Sequence, residues 1–304
     1  MRHFLEVDDL DPDELTRVLD LAECGDPPAV LARRGVALIF EKASNRTSNS
    51  MEMATVALGG HPVSIGGDEV GLDVRESTED VCRTLAQYHA VVGARVKDHR
   101  TLERMAALGV VPVVNLLSER SHPLQALADL LTLRQSWGAL AGRSVAWVGD
   151  GNNVARSLLL ACALAGVDVR VAAPAGYPPD PVAVDGARTH GIEVVVTTDP
   201  AEAVAGADAG VTDVWVSMGD EGEATRRADA FAAYQVDAAL MGRAAPGAVF
   251  LHCLPAHRGH EVTAEVIDGA ASVVWQAVGN RLHSARGLLW WLSGPERPLE
   301  REAQ

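Results

Sequence analysis

Cysteine is scarce in this 304-residue chain, with Cys24, Cys82, Cys162 and Cys253 far apart and never in a CxxC pair. That spacing argues against a disulfide framework or a thiolate zinc site, and it suits a reducing compartment. Long apolar runs are missing too, so no segment has the length of a membrane span. The N-terminus, Met1-Arg2-His3-Phe4-Leu5-Glu6-Val7-Asp8-Asp9, is too acidic and too broken for a secretory leader. A cytoplasmic protein is expected. Positive charge is in deficit, since 26 Lys and Arg against 41 Asp and Glu leave a net −15. That balance argues against nucleic acid or an anionic membrane as partner. An anionic ligand would need cations gathered locally. Neither a repeat of 20–50 residues nor a long low-complexity tract is present.

The apolar content, 48%, suffices for two α/β domains of ordinary size or one large one. Asp11-Pro12-Asp13-Glu14 has the N-cap, proline and capping-box glutamate of a helix start, and Leu15, Val18 and Leu19 mark its apolar face. Strand-like runs at Val36–Phe40, Pro62–Ile65, Ala90–Arg95 and Val110–Leu116 alternate with helical stretches at Ser77–Tyr88, His99–Ala107 and His122–Ser136. The pattern restarts after Arg143. Strands are expected at Ser144–Val148, Asp168–Ala172, Ile192–Thr197, Ala209–Trp215, Ala248–His252 and Ser272–Trp275. A helix is expected at Asn153–Ala165, and a last one from about Asn280 to Leu292. Such alternation predicts an α/β fold of two doubly wound parallel-sheet domains. The break falls in the 122–142 region, bridged by a helix. The Gly-rich polar stretch 66–76 is long for a connector and reads as a mobile or intersubunit loop.

Five local signatures bear on chemistry. Ser44-Asn45-Arg46-Thr47 lies where a strand hands over to a helix N-terminus, and hydroxyls plus an Arg fork there suit a phosphate. Arg95 ends a strand, on the side where open α/β sheets hold ligands. His122 and Gln125 share a helix face and can both donate to a carbonyl oxygen, with Asp129 one turn on as support. Gly149-Asp150-Gly151-Asn152-Asn153 follows a strand and opens a helix as a dinucleotide loop does, but Val154 takes the third glycine's place. Finally, Asp213 to Gly219 and His252 to Arg258 each end a strand. Asp213 can hold an amine and Ser217 orient it, while Cys253 is more often an inert thiol than a reactive one.

In order along the chain, these elements closely resemble the aspartate/ornithine carbamoyltransferase family, and within it the ornithine branch. Ser44-Asn45-Arg46-Thr47 is similar to the family's Ser-x-Arg-Thr-Arg, His122-Pro123-Leu124-Gln125 to His-Pro-x-Gln, and Asp213–Gly219 to Asp-x-Trp-x-Ser-Met-Gly. His252–Pro255 is similar to His-Cys-Leu-Pro, and Asn280-Arg281 to Glu-Asn-Arg. The resemblance implies carbamoyl transfer from carbamoyl phosphate to the δ-amine of ornithine, with no cofactor and no metal. It implies that Ser44, Asn45, Arg46 and Thr47 bind phosphate and that Arg95, His122, Gln125 and Arg281 hold the carbamoyl group. Asn153, Asp213, Ser217, Met218, Cys253 and Leu254 would then position ornithine. Residues 1–135 with a C-terminal helix 280–304 would form the carbamoyl phosphate domain and residues 136–279 the ornithine domain, with the active site in the cleft between them. A homo-oligomer, specifically a trimer, is also implied, with a neighbour's loop closing each site.

Departures from the family pattern concentrate at the phosphate end. The second Arg of the phosphate loop is Ser48 here, the 68–76 loop carries Asp-Glu-Val-Gly-Leu-Asp in place of Gln-Leu-Gly, and Gly279 replaces the Glu before Asn-Arg. Weaker carbamoyl phosphate binding is therefore expected. The rival readings are a sister carbamoyltransferase for putrescine or a modified ornithine, a non-catalytic paralogue, and a nicotinamide-dependent oxidoreductase suggested by Gly149-Asp150-Gly151.

Overall fold

Helix starts in this chain are written by short acceptors. Asp11 accepts from the Glu14 N–H at 2.8 Å while the Glu14 carboxylate accepts from the Asp11 N–H, so each satisfies a donor that the first turn leaves over. Ser44, Ser77, Asp98, Asn152, Asp180 and Asp199 cap later helices by accepting a first-turn N–H, without the reciprocal bond. The computed structural model describes residues 1–216 and 221–294.

The first half runs α1 (Pro12–Glu23), β1 (Gly35–Phe40), α2 (Asn45–Ala57), β2 (His61–Gly66), α3 (Gly67–Val70), α4 (Thr78–Ala86), β3 (His89–Arg95), α5 (His99–Ala107) and β4 (Val113–Leu117). Then α6 (Pro123–Trp137) leads into the second half. There follow β5 (Ser144–Val148), α7 (Asn153–Leu164), β6 (Asp168–Ala172), α8 (Pro181–Arg188), β7 (Val194–Thr197), α9 (Pro200–Val204) and β8 (Ala209–Thr212). The half closes with α10 (Ala224–Phe231), α11 (Ala238–Met241), β9 (Val249–His252) and α12 (Ala264–Ile267). Last comes α13 (Val274–Ser293), which packs against α1, α2 and α6.

Both sheets are parallel, with strand orders β2-β1-β3-β4 and β7-β6-β5-β8-β9. The winding reverses between β1 and β3 in one sheet and between β5 and β8 in the other. A crevice opens at the carboxyl ends of the strands at each such switch point. The fully buried residues Val36–Ile39 of β1 and Val145–Val148 of β5 are the continuous apolar runs that a sheet covered on both faces requires. From Pro123 to Leu133, α6 is buried on every side, as a helix wedged between two halves must be.

Several sequence expectations need correcting. Ser272–Trp275 is not a strand: Ser272 makes an isolated bridge to Phe250, and the helix has begun by Val274. The β-branched pair Val273-Val274 suggested a strand, but packing of α13 on three helices overrides that preference. β8 stops at Thr212, because Asp213 onward turns into the cleft, and β4 starts at Val113. The 66–76 stretch, expected as a mobile or intersubunit loop, carries local structure. It opens with the helical turn α3, and Asp73 accepts from the Thr78 N–H and hydroxyl and pairs with Arg104 at 2.6 Å. The Arg104 and Thr78 donors hold the Asp73 carboxyl down at about 2.

Candidate active site

The two switch points face one cavity of about 940 Å³. From the first, β1 delivers Ser44, Asn45, Arg46 and Thr47 at the start of α2, and β3 delivers Arg95. From the second come Asn152 and Asn153 at the start of α7, Asp213 after β8, and Cys253 and Leu254 after β9. His122 enters from the head of α6 and Arg281 from α13. All the described residues expected at the site line this cavity except Gln125, which stands one layer behind. Ser217 and Met218 lie outside the described residues.

On the cationic wall, Ser44 caps α2 by accepting the Thr47 N–H, leaving further N–H groups of that turn toward the cavity. Arg46 reaches across the cleft and donates to the Leu254 carbonyl. Arg281, 3% exposed, donates to Thr47 Oγ1 at 3.0 Å and to Gln125 Oε1. Its burial brings its pKa down to about 10. The same guanidinium lies 3.4 Å from His122 Nε2. Burial, then the positive charges of Arg281, Arg95 and Arg46, keep His122 well below its ordinary range, so the ring is neutral. Its Nε2 faces the Arg281 guanidinium, and its Nδ1 is a buried nitrogen without a hydrogen-bond partner.

Gln125 explains how this wall is held. Its amide donates to Asp129 Oδ1 at 2.9 Å while its oxygen accepts from Arg281. Asp129 is buried at the base of this chain, and desolvation raises its pKa to about 7. The helical spacing of His122, Gln125 and Asp129 foreshadows this stack.

The opposite wall is acidic and amidic. Asp213, 6% exposed, accepts from Asn152 Nδ2 at 2.9 Å and from the Cys253 thiol at 2.9 Å. Desolvation and the Asp213 charge raise Cys253 well above a free thiol, so it is a donor and not a thiolate. Asn152 also caps α7 through Oδ1, and Asn153 donates to the Ser118 carbonyl at 2.7 Å. Behind Cys253, His252 accepts from the Leu254 N–H at Nδ1 and meets buried Glu261 at Nε2. Asp213, His252 and Cys253 bring three potential metal-ligating atoms within 4.8 Å of one another, but the His252 nitrogens are committed to Leu254 and Glu261. Arg227 lines this end as well, paired with Asp150 at 2.7 Å and donating to the Trp215 carbonyl. Nothing in its local sequence announced that placement.

The dinucleotide-like loop has a structural use. A Cβ on Gly151 would come within 2.3 Å of the Pro178 backbone, and the Gly151 N–H donates to the Tyr177 carbonyl. The close approach that a pyrophosphate would need is taken by the chain itself.

Two family models match the chain. The carbamoyl-P binding domain of aspartate/ornithine carbamoyltransferase matches residues 2–135, and the Asp/Orn binding domain matches residues 141–292. The ornithine carbamoyltransferase of Mycolicibacterium gilvum is 47% identical, covering 96% of this chain and 98% of the relative. That of Thermus thermophilus is 48% identical over 91% of this chain and 92% of its own. Among solved structures, ornithine carbamoyltransferase from Pyrococcus furiosus superposes with a TM-score of 0.92 at 41% identity, covering 97% and 98% of the two chains. The Thermus thermophilus structure does so at 0.88 and 44% identity, covering 96% and 99%.

Proposed function

The chain belongs to the aspartate/ornithine carbamoyltransferase family, and from that premise we propose that it transfers the carbamoyl group of carbamoyl phosphate to the δ-amine of L-ornithine, releasing L-citrulline and phosphate. The observation that carries this reading is the polarity of the cleft. Arg46, Arg95 and Arg281 stand with neutral His122 on one wall, and Asp213 with Asn152 and Cys253 on the other. An anionic donor suits the first and an amino-acid acceptor the second.

In this account the N-terminus of α2, Ser44, Asn45, Arg46 and Thr47 hold the phosphate. Arg95, His122 and Arg281 stabilise the oxygen that gains charge as the amine attacks, an effect worth about 3–4 kcal/mol per well-placed donor. Gln125 acts by fixing Arg281. The amine must lose its proton first, and an alkylamine ordinarily keeps it to about pH 10. Nearby arginines disfavour the ammonium and so help. Asp213, Asn153, Ser217, Met218, Cys253 and Leu254 receive ornithine. A protonated Cys253 orients and does not attack, so displacement is direct, without an acyl-enzyme.

The matching division assigns residues 1–135 with the last helix, 280–304, to the donor half and 136–279 to the acceptor half. Packing of α13 on α1 and α2 supports it, although residues 295–304 lie outside those described. We place the enzyme in arginine and citrulline metabolism, in the cytoplasm, as a homotrimer. Among the described residues no helix is long and apolar enough to cross a membrane, and the net charge of −15 disfavours nucleic acid.

The test is turnover of carbamoyl phosphate with ornithine, putrescine and N-acetylornithine in separate reactions, reading carbamoylated product and phosphate. Ornithine should be preferred. Preference for another amine would establish a sister specificity, and no product with any amine would reject catalysis.

A further inference from the structure

Only two lysines occur in the chain, Lys42 and Lys97, and both line the cleft. Each stands two residues beyond a strand end, Lys42 after Phe40 of β1 and Lys97 after Arg95 of β3, and Phe40 and Arg95 are register partners. The pair therefore flanks the first switch point. Both lysines are exposed, and neither amine has an ion-pair or hydrogen-bond partner among the described residues. Elsewhere the chain's cations are commonly matched, as Arg104, Arg134, Arg156 and Arg258 are by carboxylates.

Ser48 shows what is missing there. Its hydroxyl donates to the Ser44 and Asn45 carbonyls, and it does not line the cavity. The α2 entrance thus offers a phosphate one cation, Arg46. The rim also carries acid. Glu41 and Glu119 both line the cavity, the first accepting the Lys97 backbone N–H at 2.7 Å and the second the His99 N–H at 3.0 Å. A doubly charged phosphate entering past two carboxylates needs a compensating charge.

We propose that Lys97 is a second cation of the phosphate subsite, supplying from the end of β3 the charge that position 48 does not. Lys97 is held at both ends of its peptide, its N–H by Glu41 and its carbonyl by the Glu119 N–H at 3.0 Å. It follows Arg95 by two residues, on the strand end that meets the donor. Lys42 lies in a bend after β1 and serves the rim more loosely. A compact ammonium on a flexible stem suits a phosphate that must enter and leave, whereas an arginine fork binds it more rigidly. The inference rests on the reading of the donor as carbamoyl phosphate.

The experiment is calorimetric titration of the full chain with inorganic phosphate at low and high salt, alongside citrulline formation by the wild type. Lys97 is exposed, so Lys97→Met should fold normally. It should weaken phosphate binding about tenfold, the scale of one charge-assisted hydrogen bond, and flatten the salt dependence. Lys97→Arg should bind as the wild type does, and Lys42→Met should change binding less than about twofold. Ser48→Arg should do little alone but restore binding when added to Lys97→Met. Unchanged affinity in Lys97→Met, or a loss in Lys97→Arg as large as in Lys97→Met, overturns the proposal. Lys97-dependent phosphate binding in a chain that makes no citrulline would sustain it and defeat the assigned function instead.

Discussion

At the scale of single residues, two buried ionisable groups set the chemistry of the cleft. Cys253 donates to Asp213 and is held well above the ordinary thiol range, so its alkylation by iodoacetamide should keep rising through pH 9. Mass spectrometry of the Cys253 peptide reads this, and a rate that levels off below pH 8 would mean a thiolate and reopen covalent catalysis. Asp129 carries a pKa raised to about 7, against about 4 in an unfolded chain. Between those values the folded protein binds more proton than the unfolded chain does, so stability falls as pH rises across the window. Asp129→Asn removes this titration and keeps a partner for Gln125. In urea unfolding, the variant's stability relative to wild type should climb from pH 5 to pH 8 and then level. A difference that is flat with pH would show that Asp129 is ionised throughout.

At the scale of elements, α13 and α1 approach each other closely at Gly287. A Cβ on Gly287 would meet the Val18 carbonyl oxygen at 2.5 Å and the Ala22 nitrogen at 2.7 Å. Backbone cannot swing aside, so Gly287→Ala should cost about 1–3 kcal/mol in denaturant unfolding. The modest gain that alanine brings in an open helix would contradict this packing. The same helix shows where sequence reading falls short. Its Asn280–Leu292 portion was legible from amphipathic spacing, but its first turn was hidden because Val273, Val274 and Trp275 suit a strand equally well. Strand ends were legible wherever an apolar run met a capping residue, as at Phe40 with Ser44 and at Val148 with Asn152. Those handovers carry the site. The Gln125–Asp129 bond, between residues one helical turn apart, was foreseeable from spacing, but the Asp213–Cys253 bond joins residues 40 apart, and such pairing depends on topology.

At the scale of the whole molecule, the halves are joined by more than α6. Glu6, near the N-terminus, accepts two hydrogen bonds from Arg156 of α7, at 2.9 and 2.8 Å, and pairs with Arg120. Both Glu6 and Arg156 are buried. Glu6→Ala leaves Arg156 with Asp180 alone, and the loss should be about 2–3 kcal/mol of unfolding free energy, below the full cost of stranding a buried charge. A change under about 0.5 kcal/mol would make the joint cosmetic. Neither Glu6 nor Arg156 carried a motif, so this junction was invisible in the sequence, while the two doubly wound halves were plain in its alternation. The central claim is that one cleft binds donor and acceptor on opposite walls. Its most direct test is calorimetric binding of a bisubstrate mimic, a phosphonate joined to ornithine, to wild type, Arg46→Ala and Asp213→Ala. Each variant, from its own wall, should weaken binding by about a hundredfold, the cost of a lost charge-assisted contact in a desolvated site. A mimic bound as tightly by either variant as by the wild type would contradict the account.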